Sequence, residues 1–277
     1  MINPKSLSCG SLTYKTLYCD NCGDELVVPI TCSRRSCPDC SAINASRIVS
    51  RYQSFIDKLQ VVPVSEFVFI TLTTLSVSVG FLSRHYRQTR KQLFRLFHRK
   101  EWVDNIQGGF YVFEVSCRPD DTFHLHIHIV ARVRSGLSVV PYTHLKNSEL
   151  KTSANIGKLS GFRLAEIWCC LSGAYVVDIT PAYNSTRRLF SYSLKYLSKA
   201  PKFYTMVQVQ DYDNAFFNTR RLSFFGSFYG LLPDTPVLVC KACKVGHYTI
   251  TDDWLNYCIT TPKEKLRDKG MLLDNYG

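Results

Sequence analysis

The chain has 277 residues, 45% of them hydrophobic and 20% charged, enough for one substantial core with a smaller satellite and too apolar for a disordered protein. Lys and Arg outnumber Asp and Glu 34 to 22, a net charge of +12. This points to nucleic acid before membrane, because the cations are not gathered on one amphipathic helix. No run of about 18 apolar residues, no secretory apolar region near Met1 and no GxxxxGK[ST] loop occurs, which argues against a membrane span, a signal peptide and an ATP-driven motor.

An intracellular location is therefore expected, and the 12 cysteines read as reduced thiols or metal ligands rather than disulfides. Six of them, Cys9 included, crowd the first forty residues. Cys19-Asp-Asn-Cys22 is followed by Cys32 and then by Cys37-Pro-Asp-Cys40. Two CxxC pairs across a short loop suit a tetrahedral structural zinc, with Cys19, Cys22, Cys37 and Cys40 as the simplest ligand set and Cys32 able to replace one of them. Arg34 and Arg35 lie between the pairs, where a knuckle can present them to phosphates.

A helix is predicted over Ala42 to Leu59, from the spacing of Ile48, Tyr52, Phe55 and Leu59, with Pro63 beyond its end. Phe67 to Thr73 is a β-branched and aromatic run, a buried strand. Ser83 to Phe97 returns to helical spacing and is basic on one side. Gly108-Gly109 introduces a hairpin, with Phe110 to Cys117 as one strand, Arg118 to Thr122 as the loop and Phe123 to Val133 as the return.

His124, His126 and His128 alternate along that return strand and so share one face. If the loop centres on residue 120, Glu114 falls directly opposite His126, with Cβ atoms about 5 Å apart. Imidazoles and a carboxylate at that distance make an open metal site. A slip of one residue would send Glu114 to the other face. Alternate residues stand about 6.8 Å apart along a strand, so His126 and His128 are the preferred ligands, and His124 is an extra ligand or a substrate contact.

Pro141 to Lys158 reads as a polar loop, Leu164 to Leu171 as a short helix with Trp168 inward, and Ala174 to Ile179 as a strand. A helix then starts near Ser185 or Thr186 and stops at Ala200-Pro201. It carries Tyr192, Lys195, Tyr196 and Lys199 on one stripe, since offsets of three, four and seven share a helical face. A phenol is a weak nucleophile at neutral pH, with a pKa of about 10. An adjacent ammonium or a metal-polarised electrophile relieves that handicap, so the stripe suits covalent attack on a phosphodiester. Near the end, Arg220 to Tyr229 is basic and aromatic, either a surface for single-stranded nucleic acid or a strand packed on the core. Cys240-Lys-Ala-Cys243, with His247 and Cys258 nearby, is half of a second zinc knuckle. The expected partition is a zinc-binding module with a connecting helix over 1–60, a core with the histidine strand and the tyrosine helix over 61–210 and a C-terminal extension over 211–277.

The order of these motifs resembles the HUH endonucleases: a Phe-Ile-Thr-Leu-Thr strand, a His-hydrophobic-His strand, then a Tyr-x-x-Lys-Tyr-x-x-Lys helix. The similarity is greatest to the rolling-circle replication initiators of small plasmids and single-stranded DNA phages, and it covers about residues 65 to 200. The stretch from Cys32 to Cys40 is also similar to initiators and to two-tyrosine transposases, with slightly different spacing. The resemblance implies an α+β fold, a central antiparallel sheet (a ferredoxin- or RRM-like palm) flanked by helices, with an N-terminal zinc-binding module. It further implies that His126, His128 and Glu114 hold Mg²⁺ or Mn²⁺, that Tyr192 and Tyr196 are paired nucleophiles accompanied by Lys195 and Lys199, and that Zn²⁺ is structural. Implied partners are origin DNA, single-stranded or in a hairpin, and the host helicase, polymerase and single-strand-binding protein, with no membrane. A two-tyrosine transposase and a non-catalytic zinc-containing DNA-binding regulator are the alternatives.

Overall fold

The computed structural model describes residues 2, 13–30, 32, 34–59, 61–134, 139–141, 154–156, 158–182, 188–190, 193, 196, 201–217, 219–229, 240–245, 248–249 and 259–260. In chain order its elements are β1 (Thr13–Cys19), β2 (Glu25–Ile30), α1 (Pro38–Leu59), β3 (Phe67–Thr73), β4 (Val77–Ser78), α2 (Leu82–Phe97), α3 (Lys100–Asn105), β5 (Ile106–Cys117) and β6 (Thr122–Val133). They continue with β7 (Val139–Pro141), β8 (Ala154–Ile156), α4 (Gly161–Ser172), β9 (Val177–Pro181), α5 (Met206–Phe216), β10 (Leu222–Gly226), β11 (Tyr248–Thr249) and β12 (Ile259–Thr260). None of the helices among the described residues is long and apolar enough to cross a membrane.

The chain divides into a core unit, Met1–Leu7 with Arg34–Pro233, and a terminal unit, Ser8–Ser33 with Asp234–Gly277. This differs from the linear partition at 60 and 210. Residues 211–233 belong to the core because β10 hydrogen-bonds along β5, with Phe224 opposite Phe110.

The core unit is an α+β fold whose six-stranded antiparallel sheet runs β10-β5-β6-β3-β9, with β4 also on β6. Strand alternation sends successive side chains to opposite faces, and both faces are apolar over most of their length. One face collects Val68, Ile70, Leu72, Phe113, Val115, Leu125, Ile127 and Ile129 under α2, α4 and α5, through Tyr86, Leu93, Trp168 and Tyr212. The other collects Phe67, Phe110, Val112 and Val130 under Phe55 and Leu59 of α1 and under Leu189 and Phe190. Burying a Leu- or Phe-sized side chain is worth about 1.5–3 kcal/mol, so these two layers hold β3, β5 and β6 in place as the floor of the site.

Several elements extend past their predicted bounds. α1 starts at Pro38, inside the second CxxC pair, because proline's fixed φ suits a first helical turn, where its missing N–H costs nothing. Gly108 and Gly109 lie within β5 rather than ahead of it, opposite Gly226 and Phe225. A Cβ at Gly109 would run into the Val130 carbonyl oxygen, so glycine is what allows β5 and β6 to approach there. β7 and β8 pair at the two ends of the predicted 141–158 loop. α5 had no counterpart in the sequence reading. Its Thr205 cap accepts a hydrogen bond from Gln208 N at 3.3 Å, and its apolar stripe is short.

In the terminal unit, β1 and β2 form a hairpin in which Tyr18 pairs with Glu25. β11 and β12 flank β1 on its other edge, with Cys19 opposite Tyr248 and Thr13 opposite Thr260. Among the described side chains of this unit, Leu17, Cys19 and Cys240 are the buried ones.

Candidate active site and cysteine sites

The site lies on the sheet face that bears Phe67, Phe110 and Val130, beyond the edge of their aromatic cover. β5 and β6 meet in the register expected from a turn at residue 120: Glu114 is opposite His126, and Ser116 opposite His124. β3 adds a third column, with Thr73 opposite His126 and Thr71 opposite His128, and β9 places Asp178 opposite Thr71. Strand alternation therefore puts Asp178, Thr71, Thr73, the three histidines and Glu114 on one face. Thr71 and Asp178 are signalled in the sequence only by alternation within the Phe67–Thr73 and Ala174–Ile179 strands.

His128 is the centre of this face and is buried. Its Nε2 lies 2.8 Å from Glu114 Oε2 and its Nδ1 3.2 Å from Thr71 Oγ1. The carboxylate accepts from Nε2–H, which leaves Nδ1 to accept from the Thr71 hydroxyl. If Nε2 instead gives its lone pair to a cation, the proton sits on Nδ1 and the same hydroxyl accepts it, the usual orienting arrangement for a ligating imidazole. Two donors at right angles on one small dication, each about 2.1 Å from it, stand about 3.0 Å apart. The 2.8 Å Nε2–Oε2 separation is close to that edge, so these residues fit a hard divalent ion. His126 continues the row, its ring centroid 6.3 Å from that of His128 and its plane within 13°.

His124 differs from the other two. Arg118 Nη2 donates to its Nδ1 at 3.1 Å, so the ring proton resides on Nε2, a buried atom with no hydrogen-bond partner. Burial first, and Arg118 second, hold its pKa below the ordinary imidazole value. In this tautomer the ring's one lone pair, on Nδ1, is engaged by Arg118.

Of the predicted nucleophile stripe, Tyr196 is described, and Tyr192, Lys195 and Lys199 lie outside the described residues. The Tyr196 ring stacks on His128, with centroids 3.9 Å apart and planes 17° apart. Its helix is packed down by Leu189 and Phe190, and the Ser193 hydroxyl donates to Leu189 O at 2.9 Å. Arg221 completes the attachment. It is buried, and it donates from Nη2 to Tyr196 O at 2.8 Å, from Nη1 to the Tyr212 hydroxyl at 2.9 Å, and from Nε and Nη2 to Phe113 O at 3.2 and 3.0 Å. The Arg220-to-Tyr229 stretch was read as either a nucleic-acid surface or a packed strand. Arg221, Phe224 and Phe228 are buried, so the packed strand is what forms here.

The cysteines gather differently from their order in the chain. Cys19 and Cys22 come together with Cys240 and Cys243, all four Sγ atoms lying within 4.8 Å of one another. The simplest predicted set, Cys19 and Cys22 with Cys37 and Cys40, thus gives way to a set in which Cys240 and Cys243 complete the first knuckle instead of beginning a second. Cys37 and Cys40 are buried in the core unit at the start of α1, with their thiols within 4.8 Å of each other, and Cys32 is exposed. Thiol groups with this spacing can bind zinc.

The arrangement is an antiparallel α+β sheet with a histidine–carboxylate pair under a stacked phenol, and comparison with known proteins gives it a context. Residues 24–139 match the family model described as replication protein. A curated relative, "Protein rep" of Streptococcus pneumoniae serotype 2 (strain D39 / NCTC 7466), is 27% identical over 106 residues, which cover 38% of this chain and 33% of the relative. The chain thus spans about a third of the length of the curated relative it matches. No solved structure matches. Both matches are to replication proteins. The matched segment contains Glu114 and the three histidines but ends before Tyr196.

Proposed function

We propose that this chain nicks and rejoins single-stranded origin DNA by tyrosine transesterification and thereby initiates rolling-circle replication. The observation that carries the reading is the Tyr196 ring stacked on His128, whose Nε2 is 2.8 Å from Glu114. It puts a phenol beside a pair of donors fit for a divalent ion. His128, Glu114 and His126 would hold Mg²⁺ or Mn²⁺, which when bound neutralises charge on the non-bridging oxygens of the scissile phosphate. Thr71 fixes the plane of the His128 ring. The phenol oxygen of Tyr196 attacks phosphorus in line, forming a 5′-phosphotyrosyl ester as the bond from phosphorus to the 3′ oxygen breaks. The phenol proton passes to solvent, and the leaving oxygen takes one up to become the free 3′-hydroxyl that primes a polymerase. One ester replaces another, so joining needs no ATP. Tyr192 would act as the second nucleophile for termination, with Lys195 and Lys199 orienting the phosphate.

The test is a denaturing gel of protein incubated with Mn²⁺ and a single-stranded origin oligonucleotide labelled on the strand downstream of the nick. Tyr196→Phe is expected to lose most of the initial adduct and Tyr192→Phe to nick but fail in strand transfer. The double variant is expected to form no adduct, and His126→Ala with His128→Ala to abolish nicking while leaving duplex affinity. An adduct from the double tyrosine variant would place the nucleophile elsewhere.

A further inference from the structure

We infer that the two ends of this chain are joined by a single Zn²⁺ ion bound to Cys19, Cys22, Cys240 and Cys243. The Sγ separations are 3.7 Å for Cys19 and Cys243 and 3.6 Å for Cys22 and Cys240. Four thiolates each about 2.3 Å from a tetrahedral zinc stand about 3.8 Å apart along every edge. A disulfide would bring two sulfurs to about 2.05 Å, so the cluster has metal spacing rather than disulfide spacing.

The backbone around the two pairs is built alike. In the first, Gly23 N donates to Cys19 O at 3.0 Å, and in the second Lys244 N donates to Cys240 O at 3.1 Å. Each donor directly follows its pair's second cysteine, and each has a left-handed backbone, with φ of 72° at Gly23 and 62° at Lys244. Glycine adopts that conformation freely, but a lysine resists it. At Lys244 the turn therefore needs support beyond its own sequence, and a metal closing the loop provides it. In the first knuckle the Asn21 amide also donates to Cys19 Sγ at 3.4 Å.

Among the described side chains of the terminal unit, the buried ones are Leu17 and two of the cysteines themselves, Cys19 and Cys240, as expected where a structural metal is a centre of packing. The strands fit: β11 follows the second knuckle and pairs beside the first through Cys19 and Tyr248. Thiolate-only coordination favours Zn²⁺ or iron over hard dications, sulfurs at the edge length of one tetrahedron suit a single ion rather than a cluster, and of such ions Zn²⁺ is the one proposed. Binding displaces the thiol protons to solvent, and the metal undergoes no redox change.

Cysteine alkylation of the native full-length protein, read by mass spectrometry, tests this without mutation. With zinc bound, Cys19, Cys22, Cys240 and Cys243 are expected to be protected, and a chelator should expose all four together. Elemental analysis gives the second readout: Cys240→Ser with Cys243→Ser and Cys19→Ser with Cys22→Ser should each lose about one zinc per chain, the same ion in both cases. Protection of Cys19 and Cys22 that survives while Cys240 and Cys243 alkylate freely would overturn the proposal. So would iron in place of zinc, or a metal content unchanged by Cys240→Ser with Cys243→Ser. None of these readouts depends on nicking, so failure here leaves the transesterification reading standing, and the reverse holds too.

Discussion

Replacing Arg221 by Met should remove the strap that ties the Tyr196 helix to the sheet. The guanidinium donates to Phe113 O, Tyr196 O and the Tyr212 hydroxyl, all at 2.8–3.2 Å. Hydrogen bonds from a charged donor contribute about 1.5–3 kcal/mol each, and a buried acceptor left unmatched costs about 1–3 kcal/mol. These figures are not additive, because removing the guanidinium also removes its desolvation cost. A net loss of about 3–5 kcal/mol is expected, as for other buried charged networks broken on one side. Met keeps the aliphatic stem against Phe216, over which the guanidinium carbon sits 5.5 Å from the ring centroid, so the loss reports the hydrogen bonds rather than a cavity. With a urea slope of about 2 kcal/mol/M, the midpoint falls by about 2 M. Fluorescence of buried Trp102 and Trp168 follows the core unit through the transition. Arg221→Lys keeps the cation but lacks the fork and should lose about half as much. At a temperature where it remains folded, its single-turnover nicking should fall about 10- to 100-fold through misplacement of Tyr196, with DNA affinity unchanged. A stability change below about 0.5 kcal/mol in Arg221→Met, the range of ordinary surface substitutions, would refute the strap.

Two further perturbations probe the other face of the sheet. Arg84, Arg87, Lys91 and Arg95 are exposed on α2 at helical spacing, and the first turn of α2 has no acid. If this stripe meets duplex phosphates, Arg87→Glu with Lys91→Glu should reduce the slope of log affinity against log salt by about 1.8, from about 0.9 per phosphate; an unchanged slope would show that the stripe does not touch DNA. His85 Nε2 lies 2.9 Å from Thr74 Oγ1, and burial first, then His124, holds its pKa below the usual value of 6.5. The unfolded chain therefore binds the proton first as the pH falls. The stability is fully present above about pH 6.5 and is lost as pH drops through the lower folded pKa. His85→Gln should flatten the acid side of the stability curve, measured by urea unfolding at several pH values; a curve as steep as the parent's would assign the acid loss to other groups.

Much of the site was legible because it is local. The alternation of His124, His126 and His128 and the short turn after Cys117 are enough to set the β5–β6 register, since a strand's period of two leaves one pairing that buries Leu125, Ile127 and Ile129. The strand Phe67–Thr73 likewise follows from its β-branched and aromatic run. What sequence order could not supply is pairing over long separations. Cys19 and Cys22 meet Cys240 and Cys243 because β11, just after the second pair, hydrogen-bonds beside the first at Cys19. Arg221 is a cation by composition, yet it becomes a buried strap because β10 returns to the edge of β5. The residues themselves determined the chemistry on offer: imidazoles, a carboxylate, phenols and thiols. The tertiary structure decided which of those groups meet, because a hydrogen bond or a metal edge of about 3 Å is selected by packing and not by distance along the chain.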